Sequence, residues 1–254
     1  MAKETFLRKL VTLLERLGAS QAEALQRAAE RMAGCIADGG LVHLFGSGHS
    51  VIPVMDAFPR YGSYVGLNPL TDPRLMWWNV LGPGGVRELL WLEREEGYVA
   101  NFLSAQPIAE GDVLVVFSHG GRNAAPVEAA MFGRGRGASV IAVTSLANLS
   151  RPPEHSSGLR LPDHADIVID TGVPIEDAIV ELEGWSAPVS GVSTIVACAV
   201  VGELVARTAA ELLARGISMP TFVSPTVPGV SVESNEAVFE AQARRLAQAA
   251  GRSA

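Results

Sequence analysis

The chain has 254 residues, 48% of them hydrophobic and 19% charged. That is enough apolar material for a sizeable core and excludes a disordered chain. A net charge of −7 argues against nonspecific nucleic-acid binding.

The first forty residues read as helical. Phe6, Leu10, Leu13, Leu14 and Leu17 recur at helical spacing, and Gly18 is expected to end that helix. Ser20 with Glu23 suggests a capping box for the next one. Leu25, Ala28, Ala29, Met32 and Ile36 give it an apolar stripe, and Asp38-Gly39-Gly40 stops it. A buried strand, Leu41–Phe45, follows. Beyond Ser50 a helix is expected, with Pro53 in its first turn, where proline is tolerated. Residues 61–85 are rich in turn-formers, with a short strand within Val65–Leu70. Arg87–Ser104 reads as helix and carries the charged run Glu93-Arg94-Glu95-Glu96.

Val113–Phe117 reads as a second buried strand, leading to a helix over Ala125–Gly133. Ser139–Val143 and Asp166–Ile169 are further apolar strands. Leu146–Pro162 reads as loop. Long apolar helices are expected over Val192–Arg215 and Glu236–Gln248, with a short strand, Thr221–Val223, between them. Apolar strands that alternate with helices predict an α/β fold with a parallel sheet covered on both faces. No apolar run approaches the roughly 20 residues of a membrane span. The N-terminus lacks a signal peptide, and Cys35 and Cys198 read as small buried hydrophobes, so a reducing, cytoplasmic setting is expected.

Two strands run into small-residue loops that precede helices. The first is Gly46-Ser47-Gly48-His49-Ser50, and the second is Ser118-His119-Gly120-Gly121-Arg122-Asn123. Such loops leave backbone N–H groups unpaired at helix starts, and these favour an anion. Thr144-Ser145 closes a third strand. All lie at the carboxyl ends of strands, where parallel sheets bind ligands. Ser47, Gly48, Ser50, Ser118, Gly120, Arg122, Asn123, Thr144 and Ser145 are therefore the candidate phosphate-binding residues. A dinucleotide fingerprint fails at Val51, where it needs a third glycine, and no P-loop lysine is present. No cofactor is expected.

His49 and His119 sit in the two loops and are candidate acid–base groups. His43, inside a strand, reads as a satisfied core residue. His155 and His164 read as surface residues, and no histidine pair has the spacing of a zinc motif, so no metal is expected. Among the carboxylates, Glu93, Glu95 and Glu96 read as a solvated helix face, and Asp177 and Glu181 share a predicted helical face. Ser118 lacks the surroundings of a hydrolase nucleophile.

At these residues the chain resembles the sugar isomerase (SIS) domain, and within it a group of stand-alone phosphosugar-binding proteins related to phosphoheptose isomerase. The resemblance rests on Gly46–Ser50, Leu92-Glu93-Arg94 with Glu96-Gly97-Tyr98, Gly121–Ala124, Val143–Leu146, His155–Gly158, Ala165–Asp170 and Phe222-Val223-Ser224. It implies a three-layer αβα sandwich around a five-stranded parallel sheet. Residues 1–40 would form a helical lead-in to an SIS domain over 41–254. It implies a homo-oligomer, dimer or tetramer, whose partner is a small sugar phosphate rather than nucleic acid or membrane, held by Ser50, Ser118 and Ser145, with Asn123 standing where relatives carry a threonine. Gly120 replaces a hydroxyl of the usual second loop, and Met55-Asp56 replaces an acidic pair. The expected activity is aldose–ketose isomerisation of a sugar phosphate. Glu96 is the expected base, Glu183 or Asp56 the reserves, and His49 or His119 the partner. A sugar-phosphate sensor without turnover, or a lyase or etherase, would use the same pocket.

Overall fold

The computed structural model describes residues 5–253. Five parallel strands form one sheet: β1 (Val42–Gly46), β2 (Leu67–Leu70), β3 (Val113–Phe117), β4 (Ser139–Thr144) and β5 (Ile167–Asp170), in the order β2-β1-β3-β4-β5. Each is apolar along most of its length because both faces are covered. Val42, Leu44, Val113, Val115 and Ile141 face one core. That core is closed by α1 (Phe6–Ser20), α2 (Ala22–Ala37), α3 (Val51–Ala57), α7 (Ser193–Ala214) and α8 (Glu236–Ser253). Phe45, Leu114, Val116 and Val140 face the other. That core is closed chiefly by α5 (Tyr98–Ser104) and α6 (Ala124–Gly135), with α4 (Val86–Leu92) at its margin. The layers are thus α, β, α. The sheet order reverses between β1 and β3, so the loops after these two strands flank the crevice where such sheets bind ligands.

Several local expectations give way to packing. Gly18 does not end α1, which runs on to Ser20. A mid-helix glycine costs only about 1 kcal/mol, and burial of Leu13 and Leu17 outweighs that. With Ser20 still helical, the capping box does not form, and Gln21 occupies the N-cap of α2. The predicted helix over Arg87–Ser104 is two helices. Gly97, at φ +87°, breaks it, and Glu128 of α6 accepts hydrogen bonds from the Gly97 and Ala100 N–H groups at the start of α5. Thr221 forms only an isolated bridge with Tyr64, not a strand. Asp177 and Glu181 share no helix: a hairpin, β6 (Ala178–Val180) and β7 (Val189–Gly191), occupies that segment. Asp177 itself lies at φ +63° and accepts hydrogen bonds from the Val192 and Ser193 N–H groups at the start of α7.

His43 is fully buried, bonded to Asp112 and Asn68, as expected of a satisfied core residue. His155 is buried rather than superficial, and its Nδ1 lies 2.8 Å from the Ser157 hydroxyl. Cys35 is buried but Cys198 only half-buried. No described helix is long and apolar enough to cross a membrane.

Candidate functional site

The backbone of the first loop is fixed by close approach. A Cβ on Gly46 would lie 2.2 Å from the Ser50 carbonyl oxygen, so only glycine fits. The turn closes with Ser50 N–H donating to the Ser47 carbonyl at 3.1 Å. In the second loop, the Gly121 N–H donates to Ser118 Oγ at 3.0 Å. Gly121 takes φ +60°, and a Cβ there would stand 2.8 Å from Thr144 Oγ1. The His119 carbonyl accepts from the Ser145 N–H, Thr144 Oγ1 and Asn148 Nδ2 at 3.1–3.3 Å. The loop is therefore pinned to the end of β4.

The two loops meet at a residue that the sequence pattern had placed on a solvated face. Glu93 follows α4, and its side chain is 12% exposed. Ser47 of the first loop donates its hydroxyl to Oε2 at 3.1 Å, and Asn123 of the second donates Nδ2 to Oε1 at 2.8 Å. Arg94 adds a donor to Oε1 at 3.1 Å. The Glu93 carbonyl accepts from the Ala125 N–H in the first turn of α6. Burial raises the Glu93 pKa above its ordinary 4.5, more than Ser47 and Arg94 lower it. One signal could have found this residue: Leu89, Leu92 and Glu93 stand at i, i+3 and i+4, on the apolar face of α4.

Glu96 is different. Its side chain is 40% exposed, with its carboxylate on the Ser156 N–H at 2.7 Å and the Ser156 hydroxyl at 2.5 Å. The Ser156 hydroxyl and N–H hold its pKa below the usual range. Asp56 lies on α3, 3.4 Å from Arg60 Nε. Glu183 is exposed in the turn between β6 and β7. The structure does not bring Glu96, Asp56 and Glu183 together.

The remaining predicted residues divide by what already holds them. Thr144 Oγ1 donates to the His119 carbonyl, and Ser145 Oγ to the Val173 carbonyl. The buried Arg122 donates to the Pro152 carbonyl and to Glu154. These three brace the loops. Ser50, Ser118 and His119 instead line a small cavity of about 20 Å³, together with Thr171, Ser193 and Thr194, the last two at the start of α7. Sequence reasoning had no reason to bring that helix start here. The cavity has room for about one water. His119 donates Nε2–H to the Ile175 carbonyl at 3.2 Å, which fixes the tautomer and leaves the buried Nδ1 without a partner among the described residues. Gly48, at φ +58°, sits above Glu93, and Gly120 lies open with nothing within 4 Å of its Cβ position. His49 is exposed and rests against Trp77, ring centroids 4.3 Å apart. A larger cavity, about 590 Å³, lies elsewhere, between α1 and the β6–β7 hairpin, and none of the predicted site residues lines it. No cluster of three His, Cys, Asp or Glu among the described residues is placed to hold a metal.

Two solved structures have the same fold. A phosphoheptose isomerase from Neisseria gonorrhoeae superposes with a TM-score of 0.54 at 16% identity, and one from Francisella tularensis with 0.51 at 17%. Each alignment covers 80% of this chain and 94% of the other. Sequence relatives are nearer. The UPF0309 protein of Streptomyces coelicolor is 36% identical over 242 residues, and that of Halalkalibacterium halodurans 32% over 243, each covering 95% of both chains. The SIS domain profile matches residues 5–145, which contain both loops, Glu93 and the end of β4. On its sheet order, its paired loops and this match, the chain belongs to the SIS domain family.

Proposed function

We propose that this protein binds a phosphorylated sugar at the carboxyl ends of β1 and β3 and interconverts its aldose and ketose forms, with Glu93 carrying the proton. The observation that supports this most is the setting of Glu93: a nearly buried carboxylate, held by one side chain from each loop, with its pKa raised. A general base works best when its pKa approaches the operating pH, and burial moves glutamate that way.

The phosphate seats at the mouth of the small cavity. Ser50 and Ser118 hydroxyls and the start of α7 at Thr194 supply donors there, and the Gly120 N–H follows His119 in the same loop. This remote grip places the open-chain sugar against the carboxylate. Glu93 takes the proton from C2 of the aldose, leaving an enediol, and returns it to C1 to give the ketose. His119 Nδ1, a lone pair held ready by the Nε2–H bond, accepts a hydroxyl proton and donates it to the neighbouring oxygen. In this reading Glu93 takes the role that the sequence suggested for Glu96.

A sensor without turnover is the second reading. It is favoured by the smallness of the cavity and by the engagement of Ser47 and Asn123 with Glu93 rather than with open space. Incubation with a panel of aldose and ketose phosphates in deuterated water separates the two. Deuterium uptake at the carbon next to the carbonyl supports the isomerase. Thermal stabilisation by a sugar phosphate without uptake supports the sensor, and neither response to any compound removes the sugar-phosphate reading.

A further inference from the structure

A second pocket opens beside the first loop, on the same end of the sheet. It begins where β2 ends and is lined by Pro73, Arg74, Trp78, Glu88 and Leu89 around about 260 Å³. Leu89 ties it to the site already described: a Cβ on Gly48 would lie 3.7 Å from Leu89 Cδ2 and 3.9 Å from Glu93 Oε2. Trp77, next in the chain to Trp78, rests on His49 of that loop.

The lining is built rather than incidental. Asp72 is buried and accepts Nε and Nη2 of Arg74, both at 3.1 Å, plus the Tyr98 hydroxyl. A guanidinium carries five N–H groups, so three remain on a side chain that is 69% exposed. Glu88 accepts the Gly84 N–H through Oε2 at 2.8 Å, and its Oε1 has no partner among the described residues. Trp78 stands 68% exposed on a loop closed by its own N–H to the Gly84 carbonyl at 2.9 Å. An exposed indole face, a guanidinium fork and a carboxylate oxygen are what a sugar ring needs: a flat surface for its C–H face and both kinds of partner for its hydroxyls. The charges decide against a second anion, because Asp72 already neutralises Arg74 and Glu88 leaves the pocket negative.

Resting on the sugar-phosphate reading of the Glu93 site, we propose that this pocket receives an uncharged group carried by the substrate, so that the preferred ligand is a sugar phosphate bearing a further acyl or glycosyl group rather than a bare hexose phosphate. Trp78 and Arg74 then determine specificity and take no part in the proton transfer.

The test is calorimetric binding of glucose 6-phosphate, 4-O-acetylglucose 6-phosphate and 4-O-glucosylglucose 6-phosphate, all of which keep a free C1 and C2 hydroxyl, to the wild-type chain, Trp78→Ala and Trp78→Phe. At least one substituted sugar should bind ten-fold or more tighter than glucose 6-phosphate. Trp78→Ala should erase that advantage without changing glucose 6-phosphate affinity, and Trp78→Phe, which keeps a ring face, should retain it. Equal affinity for all three sugars overturns this proposal and leaves the phosphate site standing. So does an unchanged preference in Trp78→Ala, including the case where the variant alters only the oligomeric state and the tryptophan marks a protein contact. Binding of none of the three sinks the sugar-phosphate reading and this proposal with it.

Discussion

The sharpest contrast lies between two carboxylates three residues apart. Glu93→Gln keeps the shape of a side chain that is only 12% exposed, and an amide can still accept from Ser47 or Asn123. It removes the proton carrier. A general base contributes about 10²- to 10⁴-fold, which is about 3–5 kcal/mol of barrier at 1.4 kcal/mol per decade. Deuterium exchange into the active sugar phosphate should fall by that factor, while binding persists in calorimetry. Glu96→Gln should leave the exchange rate nearly unchanged, because its carboxylate faces Ser156 at the surface. In the wild-type protein the acid limb of the rate profile should lie above pH 4.5, since burial raises the Glu93 pKa from that value. The same shift fixes the sign for stability. The folded state holds the Glu93 proton more tightly than the unfolded chain, so stability declines as pH rises from 4.5 through the raised value. Glu93→Gln escapes that decline and should melt no lower than wild type at neutral pH. Exchange that survives in Glu93→Gln within a factor of ten, or that vanishes in Glu96→Gln instead, would refute the assignment.

Ser118→Ala and Ser50→Ala should each weaken sugar-phosphate binding by about 1.5–3 kcal/mol, the worth of a hydrogen bond to a charged group; unchanged calorimetric affinity in both removes these serines from the phosphate site. Asp112 is fully buried and accepts from the Leu41 and Ala109 N–H groups, His43 and Arg252. Asp112→Ala strands those donors and should cost about 3–5 kcal/mol in urea unfolding. Burial pushes the Asp112 pKa up, but the bonds from His43, Leu41 and Ala109 outweigh it and hold it below 3.8. Its stabilisation is therefore present above pH 3.8 and lost as pH falls through the lower, folded value, so the Asp112→Ala deficit should shrink in acid. Gly121→Ala forces a side chain to φ +60° and sets its Cβ 2.8 Å from Thr144 Oγ1. The backbone alone costs about 1–2 kcal/mol, so its melting midpoint should drop, and an undiminished midpoint argues against that loop geometry.

The sheet was legible because β1, β3, β4 and β5 are largely apolar runs, each followed by a serine or threonine (Ser47, Ser118, Ser145 and Thr171), and the apolar runs reflect burial on both faces. The hairpin was not: Ala178–Val180 and Val189–Gly191 are three residues each, too short to show alternation. The break between α4 and α5 was hidden for a different reason. Gly97 turns the chain locally at φ +87°, but a lone glycine within a helical stretch is tolerated in many helices, and the partner that takes up the freed N–H groups, Glu128, lies far along the chain. Ser47 and Asn123 were visible as loop donors, but not what they hold. That depends on Glu93, and a run of charged residues gives each carboxylate the same local appearance. Only the spacing to Leu89 and Leu92 sets Glu93 apart.

That break also accounts for the site. Were α4 and α5 one rod, residue 93 would lie mid-helix with its carbonyl bonded to residue 97. The break frees the carbonyl, which now receives the Ala125 N–H at the start of α6. One residue thus caps the second loop's helix through its backbone and bonds both loops through its carboxylate. Its position is over-determined, so the carboxylate keeps its geometry although its burial works against its charge. Glu96, 40% exposed, is free of that penalty and is tied to one loop alone, by the Ser156 N–H and hydroxyl with His155 Nε2 3.8 Å away. Residues that accept a local energetic penalty while several elements hold them in place concentrate at functional sites. By that criterion Glu93 is the carboxylate in the run whose setting is otherwise hard to explain.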